Sequence, residues 1–334
     1  MTEQDTPRAA AKELHVIFGS GPVGSAAARY LLDKGLAVRM VSRSGTKPRV
    51  LFDDLPASQA AILELVSADA RDRQATLRAA EGATHVYHCV NVLYQDWKEQ
   101  LPPIQENIAA AARANRAVLA VSENLYMYAR GTAVINEQTP EIPPTRKGKL
   151  RKRLHDEMVE AAGRDGLRWT AVRASDYYGP GATFQSMFGT QLFLGPLLNG
   201  GTPRVAGALD VPHTITYVQD YGRALAVAAR DPRAWGRTWI VPNDRTLTAR
   251  QAAQVFFDAA GRQKKLGVIP RPLIVVMGLF SRLLRELVEM LYQKEEPYVV
   301  DGSRFASLFD FRPTPLAEGA RLTLEWCEKA GVRA

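Results

Sequence analysis

The chain has 334 residues, of which 46% are hydrophobic and 23% charged, a globular composition that excludes a disordered polypeptide. A net charge of +8 and a pI near 9.5 favour anionic small molecules but do not by themselves make a nucleic-acid binder. Two cysteines, Cys89 and Cys327, exclude a disulfide framework and point to a reducing cytosol.

The opening MTEQDTPRAAAKEL is polar and lacks the apolar core of an export signal, so residues 1–12 read as a flexible tail and the location as cytoplasmic. HVIFGS (15–20), AVRMVSR (37–43), ILELVS (62–67), HVYHCVN (85–91), AVLAVSEN (117–124) and RWTAVRAS (168–175) follow as near-continuous apolar runs. That is the pattern of strands covered on both faces. Between them SAAARYLLDKG and IAAAARANRA are rich in helix formers, and Gly35 stands where a helix C-cap is expected. The alternation predicts an α/β fold, a Rossmann-type doubly wound parallel sheet.

Beyond about residue 180 Gly and Pro become frequent, RTWIVPN (237–243) reads as one more strand, and TARQAAQVFFDAAG and LIVVMGLFSRLLRELVEMLY read as helical segments. This predicts a smaller, mostly helical C-terminal substrate lobe capping the carboxyl edge of the sheet. The sheet domain takes residues 13–180, completed by about 212–245, and the lobe takes 181–211 and 246–334. The apolar run LIVVMGLF (273–280) is too short to span a bilayer. It is read as core, with the lining of a greasy pocket as the alternative.

The most specific local signal is Gly19-Ser20-Gly21-Pro22-Val23-Gly24, placed directly after an apolar strand and opening an alanine-rich helix. Gly19 suits the tight turn, Gly21 the approach of a pyrophosphate to the backbone, and Gly24 the packing of helix on strand. The helix N-terminus then offers free N–H groups to phosphate. The expected cofactor is therefore NAD(P)H. The second strand ends in Ser42-Arg43-Ser44, with no acidic residue for a ribose 2′-hydroxyl before Asp53. Arg43 faces a 2′-phosphate in this reading and tilts the choice toward NADP, with NAD left open. Asp69 either contacts the adenine edge or caps a helix starting at Arg71.

HVYHCVN, Asn107 in ENIAAAARAN, VRASDYYGPG, TYVQDYGRAL and FRPTPLAEGARLTLEWCEKAG resemble, in order, segments of the extended short-chain dehydrogenases/reductases of the NAD-dependent epimerase/dehydratase family. The resemblance covers nearly the whole chain. It implies a fourth strand passing under the cofactor, so that Asn91 and Asn107 join the cofactor set. It also implies a Ser or Thr at the end of strand five and a Tyr-x-x-x-Lys pair on the next helix. Counted without gaps, Asn124 takes the Ser position, Lys149 the Tyr position and Arg153 the Lys position, so the chain reads as an atypical member. Lys149 and Arg153 lie one turn apart and share a face. Arg153 would hold ribose hydroxyls and lower the pKa of Lys149. Lys149 or one of Tyr126, Tyr128, Tyr177 and Tyr178 would handle the proton, and Asn124 would donate to the same oxygen.

Arg146, Lys147, Arg151 and Lys152 then form a solvated helix side, and no aromatic interleaving marks them as a nucleic-acid arm. His213, in Pro212-His213-Thr214, and Tyr178 are the substrate candidates. His88, Cys89, His155 and His213 lack metal-ligand spacing, so no metal is expected. The leading expectation is an NAD(P)H-dependent oxidoreductase acting on a ketone or alcohol of a small apolar substrate, of the aromatic or prenylated kind met in secondary metabolism. The alternatives are a nucleotide-sugar epimerase/dehydratase and a non-catalytic NAD(P) sensor. A homodimer is the candidate assembly.

Overall fold

The computed structural model describes residues 13–48, 54–183 and 186–332; the predicted tail and Asp53 lie outside the described residues. All seven predicted strands form. They are β1 (Leu14–Phe18), β2 (Ala37–Ser42), β3 (Leu63–Ser67), β4 (His85–His88), β5 (Val118–Asn124), β6 (Trp169–Ala174) and β7 (Arg237–Ile240). They build one sheet in the order β7-β6-β5-β4-β1-β2-β3, every pair parallel. Phe18 pairs with Val41 on one side and His88 on the other, so the chain reverses direction of travel across the sheet at β1. A doubly wound sheet opens its crevice at that switch point, beyond the carboxyl ends of the strands.

Helices cover both faces. On one side α1 (Pro22–Asp33) packs on α5 (Val218–Arg230), crossing so closely that a Cβ on Gly222 would lie 2.4 Å from the Ala27 nitrogen. Ile17, Leu31, Tyr87, Val172 and Trp239 fill this layer, joined by Phe305 and Phe311 from near the C-terminus. On the other side α2 (Arg73–Ala79), α3 (Trp97–Ala114) and α4 (Arg146–Asp165) cover Val16, Val86, Leu119 and Ala171. Apolar residues on both strand faces thus find apolar helices, as near-continuous hydrophobic strands require.

A third core gathers Tyr178, Phe188, Phe193, Tyr217, Phe256 and Phe257 with Leu316, Ala320 and Cys327. It joins α6 (Ala249–Ala259) to the C-terminal helix Leu316–Lys329. The buried Asp220 of α5 ties this end back by accepting from the Thr314 backbone N–H at 2.6 Å and its hydroxyl at 3.0 Å.

One prediction fails. Residues 273–292 do not form one buried helical segment. The chain breaks at Ser281 into α7 (Arg271–Phe280) and α8 (Arg282–Val288), an antiparallel hairpin. Only Ile274 and Gly278 of α7 are buried, so the apolar run is neither core nor pocket lining. Among the described residues no helix is long and apolar enough to cross a membrane.

Candidate active site

A cleft of about 670 Å³ runs along the carboxyl edge of the sheet, from the glycine loop after β1 to the C-terminal lobe. Gly19, Ser20, Gly21, Pro22 and Val23 form one wall. Gly19 has φ +108°, and a Cβ there would sit 2.6 Å from the Cys89 carbonyl oxygen. A Cβ on Gly24 would fall 2.0 Å from the Gly19 oxygen. Gly24 therefore stands behind the wall, where only hydrogen fits between helix and loop. Gly21 is different: nothing lies within 4 Å of its absent Cβ. No side chain caps the start of α1, which leaves first-turn N–H groups for a ligand.

Ser42, the exposed Arg43 and Asp69 form the next stretch of wall. Asp69 caps no helix. That role belongs to Asp72, which accepts from the Ala75 N–H at 3.0 Å. The Arg71 guanidinium, bonded to both oxygens of Asp69, holds that carboxyl below its usual range. Asn107 does not reach the cleft. It is buried behind this wall, where its amide donates to the Ala70 and Arg71 carbonyls at 2.9 and 3.0 Å and so positions the Asp69 loop. Cys89, Val90 and Asn91 supply the floor.

The helix register departs from the gap-free count. Lys149 is exposed outside the cleft, and Arg153 is 57% exposed beside Glu157 at 3.5 Å. The residues turned inward are Lys147 and Arg151, both expected on the solvated side. Gly148 sets this register, because a Cβ there would meet the Tyr126 carbonyl oxygen at 2.2 Å. The helix start therefore lies against the loop after β5, and positions four apart from 147 share the inner face. Lys147 is buried, ion-paired with Glu286 of α8 and with Glu289 just beyond its end, its Nζ 5.4 Å from the Tyr94 ring centroid. Arg151 lines the cleft, donating to the Ser122 carbonyl at 3.2 Å with its guanidinium over Trp97. A glycine in the first turn of a helix, Lys147-Gly148-Lys149, was the sequence signal for this register.

Asn124 and Tyr126 line the cleft after β5. Asn124 accepts from the Tyr126 N–H at 3.2 Å, and the Tyr126 and Tyr94 hydroxyls are 2.5 Å apart. Burial pushes the Tyr126 hydroxyl well above its usual range. Tyr128 is buried off the cleft and takes a bond from Arg173 at 2.7 Å. Below the floor, the buried Arg173 also pairs with Glu123 at 2.9 Å, and Glu123 holds His155 at 3.0 Å. His155 is therefore not isolated, as its position in the chain suggested.

Tyr177 lines the cleft, its hydroxyl pushed up to about 12 by burial and then by Asp176. Tyr178 points the opposite way, into the lobe core against Tyr217 and Phe256, as alternation along a strand demands. It does not line the cleft.

At the far end lie Ser175, Asp176, Thr183, Ser186, His213 and Gln293, a polar set rather than a greasy one. His213 is buried and stacked on Tyr298, and its Nδ1 is 2.9 Å from the Gln293 carbonyl oxygen. A carbonyl only accepts, so Nδ1 carries the proton. Burial lowers the ring's pKa, leaving a neutral imidazole whose Nε2 is an acceptor. That Nε2 faces the Asp176 Oδ2 at 3.8 Å, and neither atom has a hydrogen-bond partner among the described residues.

Away from the cleft, Glu13, His15 and His85 bring ligand-type atoms within 4.8 Å of one another at the amino edge of the sheet. His15 stacks on His85 at 4.5 Å, and Arg230 engages Glu13 at 3.2 Å. Residues seventy positions apart gave no spacing signal for this group.

Residues 16–241 match the NAD dependent epimerase/dehydratase family. The chain belongs to this family. Solved structures share its fold at low identity. UDP-glucose 4-epimerase of Thermus thermophilus, in complex with NAD, aligns with a TM-score of 0.74 at 19% identity, covering 95% of this chain and 99% of that one. DesIV, the dTDP-glucose 4,6-dehydratase of Streptomyces venezuelae with NAD and TYD bound, gives 0.73 at 18%, covering 95% and 97%. UDP-glucuronic acid 4-epimerase of Bacillus cereus, in complex with NAD, gives 0.74 at 12%, covering 95% and 97%. No curated protein sequence matches the chain. On the inner face of α4, Arg151 lines the cleft and Lys147 is buried against Glu286 and Glu289.

Proposed function

We propose that this family member is a nicotinamide-dinucleotide-dependent enzyme of epimerase or dehydratase type that acts at an alcohol carbon of a hydroxyl-rich, nucleotide-sugar-like substrate. The observation that carries the reading is a pair of buried acceptor atoms, His213 Nε2 and Asp176 Oδ2, that have no hydrogen-bond partner among the described residues, with Lys294 Nζ 3.5 Å from the carboxylate oxygen, in a cleft that begins in a glycine cradle. Two acceptors face to face leave a donor wanting, and a substrate hydroxyl supplies one proton to either of them, His213 Nε2 being the one with no cation beside it. The three relatives above bind NAD, and two of them are sugar-nucleotide 4-epimerases.

The residues present fit the cofactor. A diphosphate has space over Gly21 and N–H groups at the start of α1. When bound, the nicotinamide ring accepts and returns hydride. Arg43 stands at the rim for a 2′-phosphate, Asp69 for the adenine edge, and Asn91 below. Arg151 takes the ribose-holding role first assigned to Arg153. Tyr177 stays protonated at neutral pH and so donates, with Asn124, to a substrate oxygen. His213, unprotonated, takes a proton from a hydroxyl lodged against it. In this reading residues 13–180 with 212–245 carry the dinucleotide, and the lobe carries the substrate. An apolar substrate loses its basis, because the segment that suggested it lies outside the cleft.

Calorimetric titration with all four nicotinamide dinucleotides, followed by a nucleotide-sugar panel read by proton NMR, tests the reading. Binding of at least one dinucleotide and conversion of a sugar nucleotide are expected, and Arg43→Ala should weaken the phosphorylated form selectively. No dinucleotide binding removes the reading. Binding without conversion of any alcohol or carbonyl leaves a sensor.

A further inference from the structure

We propose that α7 and the basic residues around it form a membrane-surface anchor that seats this protein on an anionic lipid bilayer. Leu273, Val275, Val276, Met277, Leu279 and Phe280 are 42–89% exposed, and they are six of the thirteen exposed large apolar side chains among the described residues. Such a concentration in one ten-residue helix is a patch, not scatter.

The helix is held in this pose by its inner face. Gly278 lets α8 approach until its absent Cβ would be 3.2 Å from the Arg285 Cα. Arg285 closes the end of α7 by donating to the Gly278 and Leu279 carbonyls at 3.1 and 3.3 Å. The apolar side chains therefore face outward in a folded hairpin rather than a loose end.

Charge selects the occupant. From Gly261 to Arg285 the chain carries six basic residues, Arg262, Lys264, Lys265, Arg271, Arg282 and Arg285, and no acidic one. The acidic residues that follow, Glu286 and Glu289, are turned inward onto Arg146 and Lys147. Glu295 pairs with Arg271 at 2.6 Å, and an apolar helix flanked along the chain by the remaining cations matches acyl chains below anionic headgroups. Ten residues span about 15 Å, too little to cross a bilayer, so α7 lies in the interface. The hairpin also abuts the cleft: Leu287 of α8 packs with Tyr94 and Trp97, both cleft-lining, so docking here brings the site close to the lipid surface.

Flotation of the full chain with phosphatidylcholine vesicles, with and without phosphatidylglycerol, tests the anchor. Binding is expected only with phosphatidylglycerol present, falling as salt is raised. The double variant Leu279→Asp/Phe280→Asp should lose at least about tenfold in bound fraction with an unchanged melting temperature, since both side chains are exposed. Lys265→Gln/Arg282→Gln should weaken binding to anionic vesicles. No phosphatidylglycerol-dependent flotation, or equal flotation of the Asp variant, overturns the proposal. A dimer in light scattering that the Asp variant disperses, without vesicle binding, also overturns it and assigns the face to a second copy of the chain.

Discussion

His213 Nε2 and Asp176 Oδ2 confront each other at 3.8 Å, two acceptors in a buried corner, because the Gln293 carbonyl claims the proton on Nδ1. Lys294 Nζ, 3.5 Å from the same carboxylate oxygen, offsets part of the charge. The corner is under-satisfied among the described residues, and in the proposed function a substrate hydroxyl donates into it.

Replacing the carboxylate with an amide tests this corner. Asp176→Asn presents a donor to Nε2, so the melting temperature should hold or rise. The value of kcat/KM should fall at least about tenfold, near 1.4 kcal/mol of transition-state stabilisation. Steady-state kinetics beside thermal melts check it, and an unchanged rate removes the corner from the site. Turnover should also fall on acidification, as His213 gains the proton that burial withholds at neutral pH.

The glycine loop separates packing from binding. Gly21→Ala meets nothing within 4 Å, so the fold should melt as before while dinucleotide affinity drops about tenfold or more, the methyl occupying the diphosphate's approach. Gly24→Ala places a methyl 2.0 Å from the Gly19 oxygen, so the protein itself should be destabilised. Melting curves and calorimetry on the two variants should therefore give opposite patterns.

The helix register predicts a contrast between neighbours. Arg151→Met should reduce dinucleotide affinity or turnover by about tenfold or more, through loss of a charged hydrogen-bond donor in the cleft. Lys149→Met, on an exposed position, should leave both within about twofold. Equal effects from the two would return the assignment to the gap-free count.

Part of the acid sensitivity should come from the amino edge of the sheet, beside that of the buried His88, whose pKa burial pulls down to about 3. Burial pulls the pKa values of His15 and His85 down to about 4. The unfolded chain binds these protons near pH 6.5, the folded one only near 4, so stability rises with pH across that window. On acidification from about pH 6.5 to about pH 5, each ring should cost roughly 1.5 kcal/mol of stability. Urea denaturation at both pH values measures the slope, and His85→Leu should flatten it.

The sheet was legible because each buried parallel strand must be apolar on both faces, so Val16-Ile17-Phe18 or Val118 to Val121 announce themselves without any partner. The glycine loop was legible for a related reason. Its spacing is local, since Gly24 meets the Gly19 oxygen five residues back, although Gly19 also meets the Cys89 carbonyl seventy residues on. The α7 segment misled because apolar composition ordinarily signals burial, and nothing local distinguishes a core helix from one displayed on a hairpin.

By itself, then, the amino-acid order determined the doubly wound parallel sheet and the dinucleotide loop, both set by short-range periodicity and backbone allowance, while the strand order that puts the switch point at β1 came from the tertiary structure. Tertiary structure alone decided which face of α4 looks inward, because that depends on Gly148 meeting a carbonyl twenty-two residues earlier. It alone brought Asp176, His213 and Gln293 to one corner, and turned Tyr177 into the cleft and Tyr178 out of it. Such placements follow from contacts between distant segments, which no local pattern encodes.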